Sequence, residues 1–111
     1  DYNGSFEYSD PVEVDIVIPD VYSLHQNYPN PFNPSTKITF TLAANAQVTL
    51  KVFDILGQEV MTLINQDITA GVHTYDFDAS GINSGVYFYR IEANGIDGTN
   101  FTNVKKMILL K

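Results

Sequence analysis

The sequence predicts an all-β fold, an immunoglobulin-like β-sandwich of about seven antiparallel strands. Three observations predict it. Apolar and polar residues alternate with a period of two in segment after segment, as half-buried strands require. Clusters of glycine, asparagine, aspartate and proline recur every ~8–12 residues, the spacing of sandwich turns. No stretch carries the three-to-four spacing of an amphipathic helix.

The elements follow in order. Ser5 to Ser9 and Val12 to Ile18 read as two strands around an Asp10-Pro11 turn, and Pro19-Asp20 ends the second. In that second strand Val12, Val14, Ile16 and Ile18 form an apolar face that needs a partner, opposite Glu13, Asp15 and Val17. Asn27, Tyr28, Pro29, Asn30, Pro31, Phe32, Asn33 and Pro34 come next. Three prolines in six positions exclude a helix and push their neighbours toward extended geometry. The expected result is a stiff strip along a sheet edge, the opening strand of the sandwich, with Tyr28 and Phe32 as its two aromatic anchors.

Beyond the strip, Ile38, Phe40 and Leu42 share one face of a strand from about Thr36 to Ala43. Val48, Leu50 and Val52 share a face of the next. Asp54 to Gln58 reads as a turn in which Gly57 takes positive φ. Val60 to Ile64 and Val72 to Phe77 read as strands, with Asp76 and Asp78 pointing away from the side that Phe77 faces. Val86 to Ala93 is rich in aromatics and suits a central strand. Asn94 to Gly98 is a turn, and Phe101 to Leu110 is the last strand.

The bulk numbers bound the function. A chain of 111 residues, 44% hydrophobic, has enough apolar mass for a core. It has no cysteine, which excludes disulfides and thiolate metal sites. No apolar run is long enough to span a bilayer, and no export signal opens the chain. The sequence is therefore expected to be a fragment of a larger protein whose export signal, if any, lies elsewhere. The net charge of −7 argues against a nucleic-acid partner. Six acids and no base fall in residues 1–20, whereas residues 21–111 hold seven acids and six bases. This step divides the chain into an acidic strand segment, 1–20, and a main domain, 21–111. The acidic strand also offers an edge for pairing between two chains, so a homodimer through it is one expected assembly.

Catalytic and metal patterns are weak. His25 and His73 have no second imidazole at ligand spacing. Ser84, His73 and Asp76 or Asp78 assemble a triad only on paper, because no nucleophile elbow surrounds the serine. Asp76 and Asp78 read as a solvated strand face rather than a glycosidase pair. Asp67, Asp76, Asp78 and Asp97 are hard donors for calcium, but they lack the Asp-x-Asp-x-Asp-Gly run. No cofactor or metal is expected. The sequons Asn3-Gly4-Ser5 and Asn100-Phe101-Thr102 are short patterns expected by chance. A carbohydrate-binding or adhesion module is the alternative reading, with Tyr87 and Tyr89 on one strand face as a stacking platform. Core filling explains those tyrosines better.

An ordered set of motifs points elsewhere. Leu24-His25-Gln26 leads into the strip Asn27 to Pro34, followed by Thr36 to Phe40 and then Val52 to Val60. Ala70-Gly71-Val72-His73 comes next, then Ser84-Gly85-Val86-Tyr87-Phe88-Tyr89-Arg90, and Lys106-Met107-Ile108-Leu109-Leu110-Lys111 closes the set. In this order they resemble the type A C-terminal sorting domain of type IX secretion cargo, over about residues 21–111. Gln58 stands where the family commonly has arginine, and Phe53 where it has tyrosine.

The resemblance implies a bacterium of the Bacteroidetes kind. It implies a non-catalytic signal that the type IX translocon recognises in the periplasm and that escorts its attached cargo across the outer membrane. A sortase-type protease then usually removes it, joining many cargos to surface lipopolysaccharide. Three regions carry over as signal elements. They are the proline strip, the Gly-x-Tyr motif Gly85-Val86-Tyr87, and the basic last strand with Lys105, Lys106, Met107, Ile108, Leu109, Leu110 and Lys111. Residues Asn3 to Ile16 resemble the end of a fibronectin type III-like domain, which places the expected cleavage in or near Pro19 to Ser23. The expected address is the last strand, read by β-augmentation if it lies at a sheet edge.

Overall fold

A computed structural model describes residues 19–111. The strands expected at Ser5–Ser9 and Val12–Ile18 lie outside the described residues. Within them, seven strands form two antiparallel sheets: β1 Ser23–Leu24, β2 Ser35–Leu42, β3 Ala46–Phe53, β4 Glu59–Ile68, β5 Gly71–Asp78, β6 Gly85–Gly95 and β7 Asn100–Leu109. The smaller sheet has the order β1-β2-β5 and the larger β4-β3-β6-β7. No described residue is helical.

The period-two pattern explains the two layers. Along β3, Ala46, Val48, Leu50 and Val52 are buried and the residues between them are not. Tyr87, Tyr89, Ile91 and Ala93 do the same along β6, and Met107 and Leu109 along β7. The smaller sheet contributes Leu24, Ile38, Phe40, Leu42 and Phe77, so the core is the layer between the sheets. Asp76 and Asp78 are exposed on either side of buried Phe77, as their alternation predicts.

Two elements differ from the sequence expectation. β4 runs on to Ile68 rather than stopping at Ile64, because Asn65, Gln66 and Asp67 pair with Thr49, Val48 and Gln47. At an edge strand those polar side chains stay in water, so the ladder tolerates them. The opening strand is Ser23–Leu24, paired with Thr41 and Phe40, and not the proline strip. Prolines cannot donate to a ladder, so the strip makes only two isolated bridges, Tyr28 to Lys37 of β2 and Phe32 to Leu109 of β7. It crosses from one sheet to the other.

Candidate functional site

The crossing of the strip is held by backbone and amide groups at each end. Tyr28 and Lys37 exchange both backbone hydrogen bonds, at 3.0 and 2.9 Å. At the other end the Phe32 N–H donates to the Ile108 carbonyl and the Phe32 carbonyl accepts from the Leu110 N–H, both at 2.9 Å. Asn30 Oδ1 accepts from the Ile108 N–H at 2.9 Å, and Gln26 Nε2 donates to the Lys106 carbonyl at 2.6 Å. Beyond them the Pro34 carbonyl accepts from Ala79 N–H at 2.9 Å. The Tyr28-Pro29, Asn30-Pro31 and Asn33-Pro34 peptide bonds are cis.

Only one of the two expected aromatic anchors is an anchor. Phe32 is 2% exposed, with its ring centroid 6.1 Å from that of Phe77. Tyr28 is 80% exposed, because its backbone is spent on β2 while its ring faces water. Asn27 holds the first half of the strip instead. Its side chain is buried, donating to Thr36 Oγ1 at 3.0 Å and to the Pro29 carbonyl at 3.2 Å, and accepting from Gln26 Nε2 at 2.7 Å. Thr36 Oγ1 donates to the same Pro29 carbonyl at 2.8 Å.

Tyr89 of β6 joins this node from below. Its hydroxyl accepts from the Asn27 N–H at 2.8 Å and donates to the His25 carbonyl at 2.7 Å. Burial pushes the Tyr89 hydroxyl up to about 12, against the opposing pull of the Asn27 N–H. The sequence reading placed Tyr89 in the core but missed this role. The available signal was that a fully buried tyrosine still needs a partner for its hydroxyl.

The Gly-x-Tyr motif lies beside the last strand. Gly85 is opposite Leu109, Val86 opposite Ile108 and Tyr87 opposite Met107. Tyr87 is buried and its hydroxyl donates to the Asn83 carbonyl at 2.6 Å. With both Tyr87 and Tyr89 facing the core, neither forms a stacking platform. The strip, the Gly-x-Tyr motif and the C-terminal half of β7 therefore meet at one end of the sandwich. The Asp54–Gln58 turn closes that same end, since Phe53 pairs with Phe88.

Charge is distributed unevenly there. Lys37 pairs with Asp76 at 2.6 Å, Lys51 with Glu59 at 3.2 Å and Arg90 with Glu92 at 3.2 Å. Among the described residues, Lys105, Lys106 and Lys111 have no carboxylate partner. They do not form one face. Lys105 shares the side of the strand that buries Met107 and Leu109, and Lys106 lies on the opposite side. Lys111 is tied down, its Nζ donating to the Ser80 carbonyl at 2.8 Å and its N–H to Ser84 Oγ at 3.0 Å. The Asp78 carboxyl is held below its ordinary value mainly by the Ser80 N–H, with a smaller contribution from Lys111.

β7 is an edge by strand order, yet its outward backbone groups from Lys106 to Leu110 are not open. Gln26, Asn30 and Phe32 occupy the Lys106 carbonyl, both groups of Ile108 and the Leu110 N–H. The paper triad is not assembled. His73 Nε2 donates to the Thr69 carbonyl at 2.7 Å, while Ser84 sits at the other end beside Lys111. The calcium candidates are dispersed over different elements. Asp76 faces Lys37, Asp78 accepts from Ser80 N–H, and Asp97 accepts from Thr99. Among the described residues no three histidine, aspartate or glutamate side chains gather at metal-binding distance.

A family model described as a secretion system C-terminal sorting domain matches residues 26–109. The chain belongs to this family. It is the type IX sorting-domain family that the motifs resemble, and the match spans the strip, the Gly-x-Tyr motif and the whole of β7.

Solved structures show likenesses of fold. Dimeric latent PorU from Porphyromonas gingivalis is similar at 21% identity and a TM-score of 0.62, over 85% of this chain and 10% of that one. The sorting domain thus spans a tenth of the length of PorU. CopC from Methylosinus trichosporium OB3b is similar at 15% identity and a TM-score of 0.54, over 80% of this chain and 93% of that one. The PmoD soluble domain from Methylocystis sp. ATCC 49242 (Rockwell) is similar at 12% identity and a TM-score of 0.52, over 80% and 89%. No curated protein sequence matches.

Proposed function

We propose that residues 21–111 are a non-catalytic secretion signal. They direct an attached N-terminal cargo through the type IX translocon across the outer membrane, and a sortase-type protease then usually removes them. Family membership supports the sorting role. The observation that carries the reading furthest is the meeting of the three signal elements, far apart in sequence, through the Phe32 and Leu109 bridge and the Gly85 and Leu109 pair. A receptor at this end touches all three at once.

In this reading the expected cut lies in or near Pro19 to Ser23. Among the described residues Tyr22 is the first docked aromatic side chain, stacked on Phe101 with centroids 5.5 Å apart and hydrogen-bonded to Thr99 Oγ1 at 2.6 Å. Asp20 and Val21 before it are exposed.

The test is a reporter carrying a standard export signal and residues 21–111 at its C-terminus, in a host with and without the type IX system. Release to the surface only in the competent host is the expected result. Equal retention in both hosts, with the domain folded, overturns the proposal.

A further inference from the structure

The covered edge of β7 directs attention to its outer face. Register places Phe53, Phe88 and Lys106 in one row across β3, β6 and β7, and Val86 and Ile108 in the next row toward the end. All five lie on the face turned away from the core, since their strand neighbours Val52, Tyr87, Tyr89, Met107 and Leu109 are buried. Phe53, Val86, Phe88 and Ile108 are half-buried on this face, and Lys106 is exposed. Arg90 stacks over the Phe53 ring at 4.7 Å and borders the patch.

The Asp54–Gln58 turn adds two more apolar groups at the same end. Ile55 is 70% exposed and Leu56 is 79% exposed. They are presented by a rigid turn. Asp54 Oδ1 accepts from the Leu56 and Gln58 N–H groups at 2.9 Å, and the Asp54 N–H donates to the Gln58 carbonyl at 2.9 Å. The Gly57 N–H donates to the Asp54 carbonyl at 3.0 Å, with Gly57 at φ 82°. Scattered apolar side chains on a surface need no explanation, but two adjacent exposed ones on a stiff turn, next in the chain to the half-buried Phe53 of this face, suit an interface.

We propose that this outer face, with Ile55 and Leu56 as its prongs and Lys106 at its rim, is the surface by which the sorting domain docks. Its partner is a protein surface of apolar side chains bordered by carboxylates. The inference rests on the sorting reading and names the surface that serves it. It also replaces edge pairing as the mode of recognition. Lys51 and Arg90, the other cations of this face, already hold Glu59 and Glu92, so among the described residues Lys106 is the cation of this face without a carboxylate. That charge selects an acidic border. A second copy docked face to face would offer Lys106 the carboxylates Glu59 and Glu92, which already hold Lys51 and Arg90. An anionic lipid surface calls for a cluster of cations, and this face has one to spare.

The test uses the complete 111-residue chain at the C-terminus of an exported reporter, in hosts with and without the type IX system. The variants are the pair Ile55→Ser with Leu56→Ser, and separately Lys106→Glu. The controls are Ile96→Ser and Val72→Ser, exposed to 80% and 65% at the opposite end. The expected result is a drop in exported fraction of at least ~tenfold for the serine pair and for Lys106→Glu, the size of a lost interface hot spot. Controls should export as wild type, and thermal midpoints should be unchanged. Should the serine pair lower the midpoint, Lys106→Glu decides, because it removes no core atom. Wild-type export of both patch variants overturns the patch while leaving the sorting reading intact. Equal losses in the controls also overturn it. Failure of the wild-type chain to be exported overturns both.

Discussion

Phe32 and Leu109 lie side by side as a parallel bridge between the proline strip and the last strand. The backbone of Phe32 is bonded on both sides of that residue, to Ile108 and Leu110. A strip that cannot form a strand thereby closes one seam of the sandwich. It also ties the proline strip to the last strand.

Phe32 and Tyr28 should behave oppositely. Phe32→Ala empties a core position and is expected to cost about 3–5 kcal/mol. Tyr28→Ala removes a solvated ring and should stay within about 0.5 kcal/mol. Urea unfolding of both variants separates them. A Tyr28→Ala loss comparable to that of Phe32→Ala would mean that the ring is an anchor after all.

Tyr89→Phe removes the hydroxyl that serves both Asn27 and His25. Leaving the Asn27 N–H unsatisfied is expected to cost about 1–3 kcal/mol. Because folding raises the Tyr89 value to about 12, its contribution is complete below the ordinary tyrosine value near ~10 and is lost as pH rises through 12. A stability profile against pH should therefore fall in that window for wild type and fall less for Tyr89→Phe.

At the opposite end, Gly95→Ala should dislodge Tyr22. An added Cβ would meet Tyr22 Oη at 2.5 Å and both Asp97 Oδ1 and Thr99 Oγ1 at 2.6 Å. Loss of the shielded Tyr22 and Phe101 ring signals in an NMR spectrum is the expected readout. Gly57→Ala meets no atom within 4 Å but forces alanine to φ +82°, so it should cost about 1 kcal/mol through backbone strain alone and leave Tyr22 in place.

Acid should weaken the turns. Glu59 is held below its ordinary value chiefly by its Lys51 hydrogen bond, Asp78 by the Ser80 N–H and Asp97 by Thr99. Their contributions are present above the ordinary carboxylate range and vanish as pH falls through the lowered values. Asp78→Asn should flatten the acid limb of the stability profile, as followed by circular dichroism. An unchanged limb would remove Asp78 from this account.

Local chemistry made much of this protein legible in one dimension. The alternation of Val48, Leu50 and Val52, and of Tyr87, Tyr89 and Ile91, determines which face of each strand is buried, because side chains in a strand point alternately to its two sides. Gly57 in the Asp54–Gln58 segment fixes a turn with positive φ. The prolines at 29, 31 and 34 forbid a helix, and the ordered motifs announce the family.

What the sequence alone could not decide is where the strip lies and what holds it. A proline-rich segment has no repeating hydrogen-bond pattern of its own. Its course is set by whichever distant groups pair with its few donors and acceptors, and only the fold brings Ile108, Leu110 and Tyr89 to it. For the same reason Asn27 is an anchor while Tyr28 is not, and the basic last strand is an edge by order yet closed by contact. Periodicity is a property of neighbours in sequence. The meeting of the strip, the Gly-x-Tyr motif and the last strand is a property of residues that become neighbours only when two sheets pack.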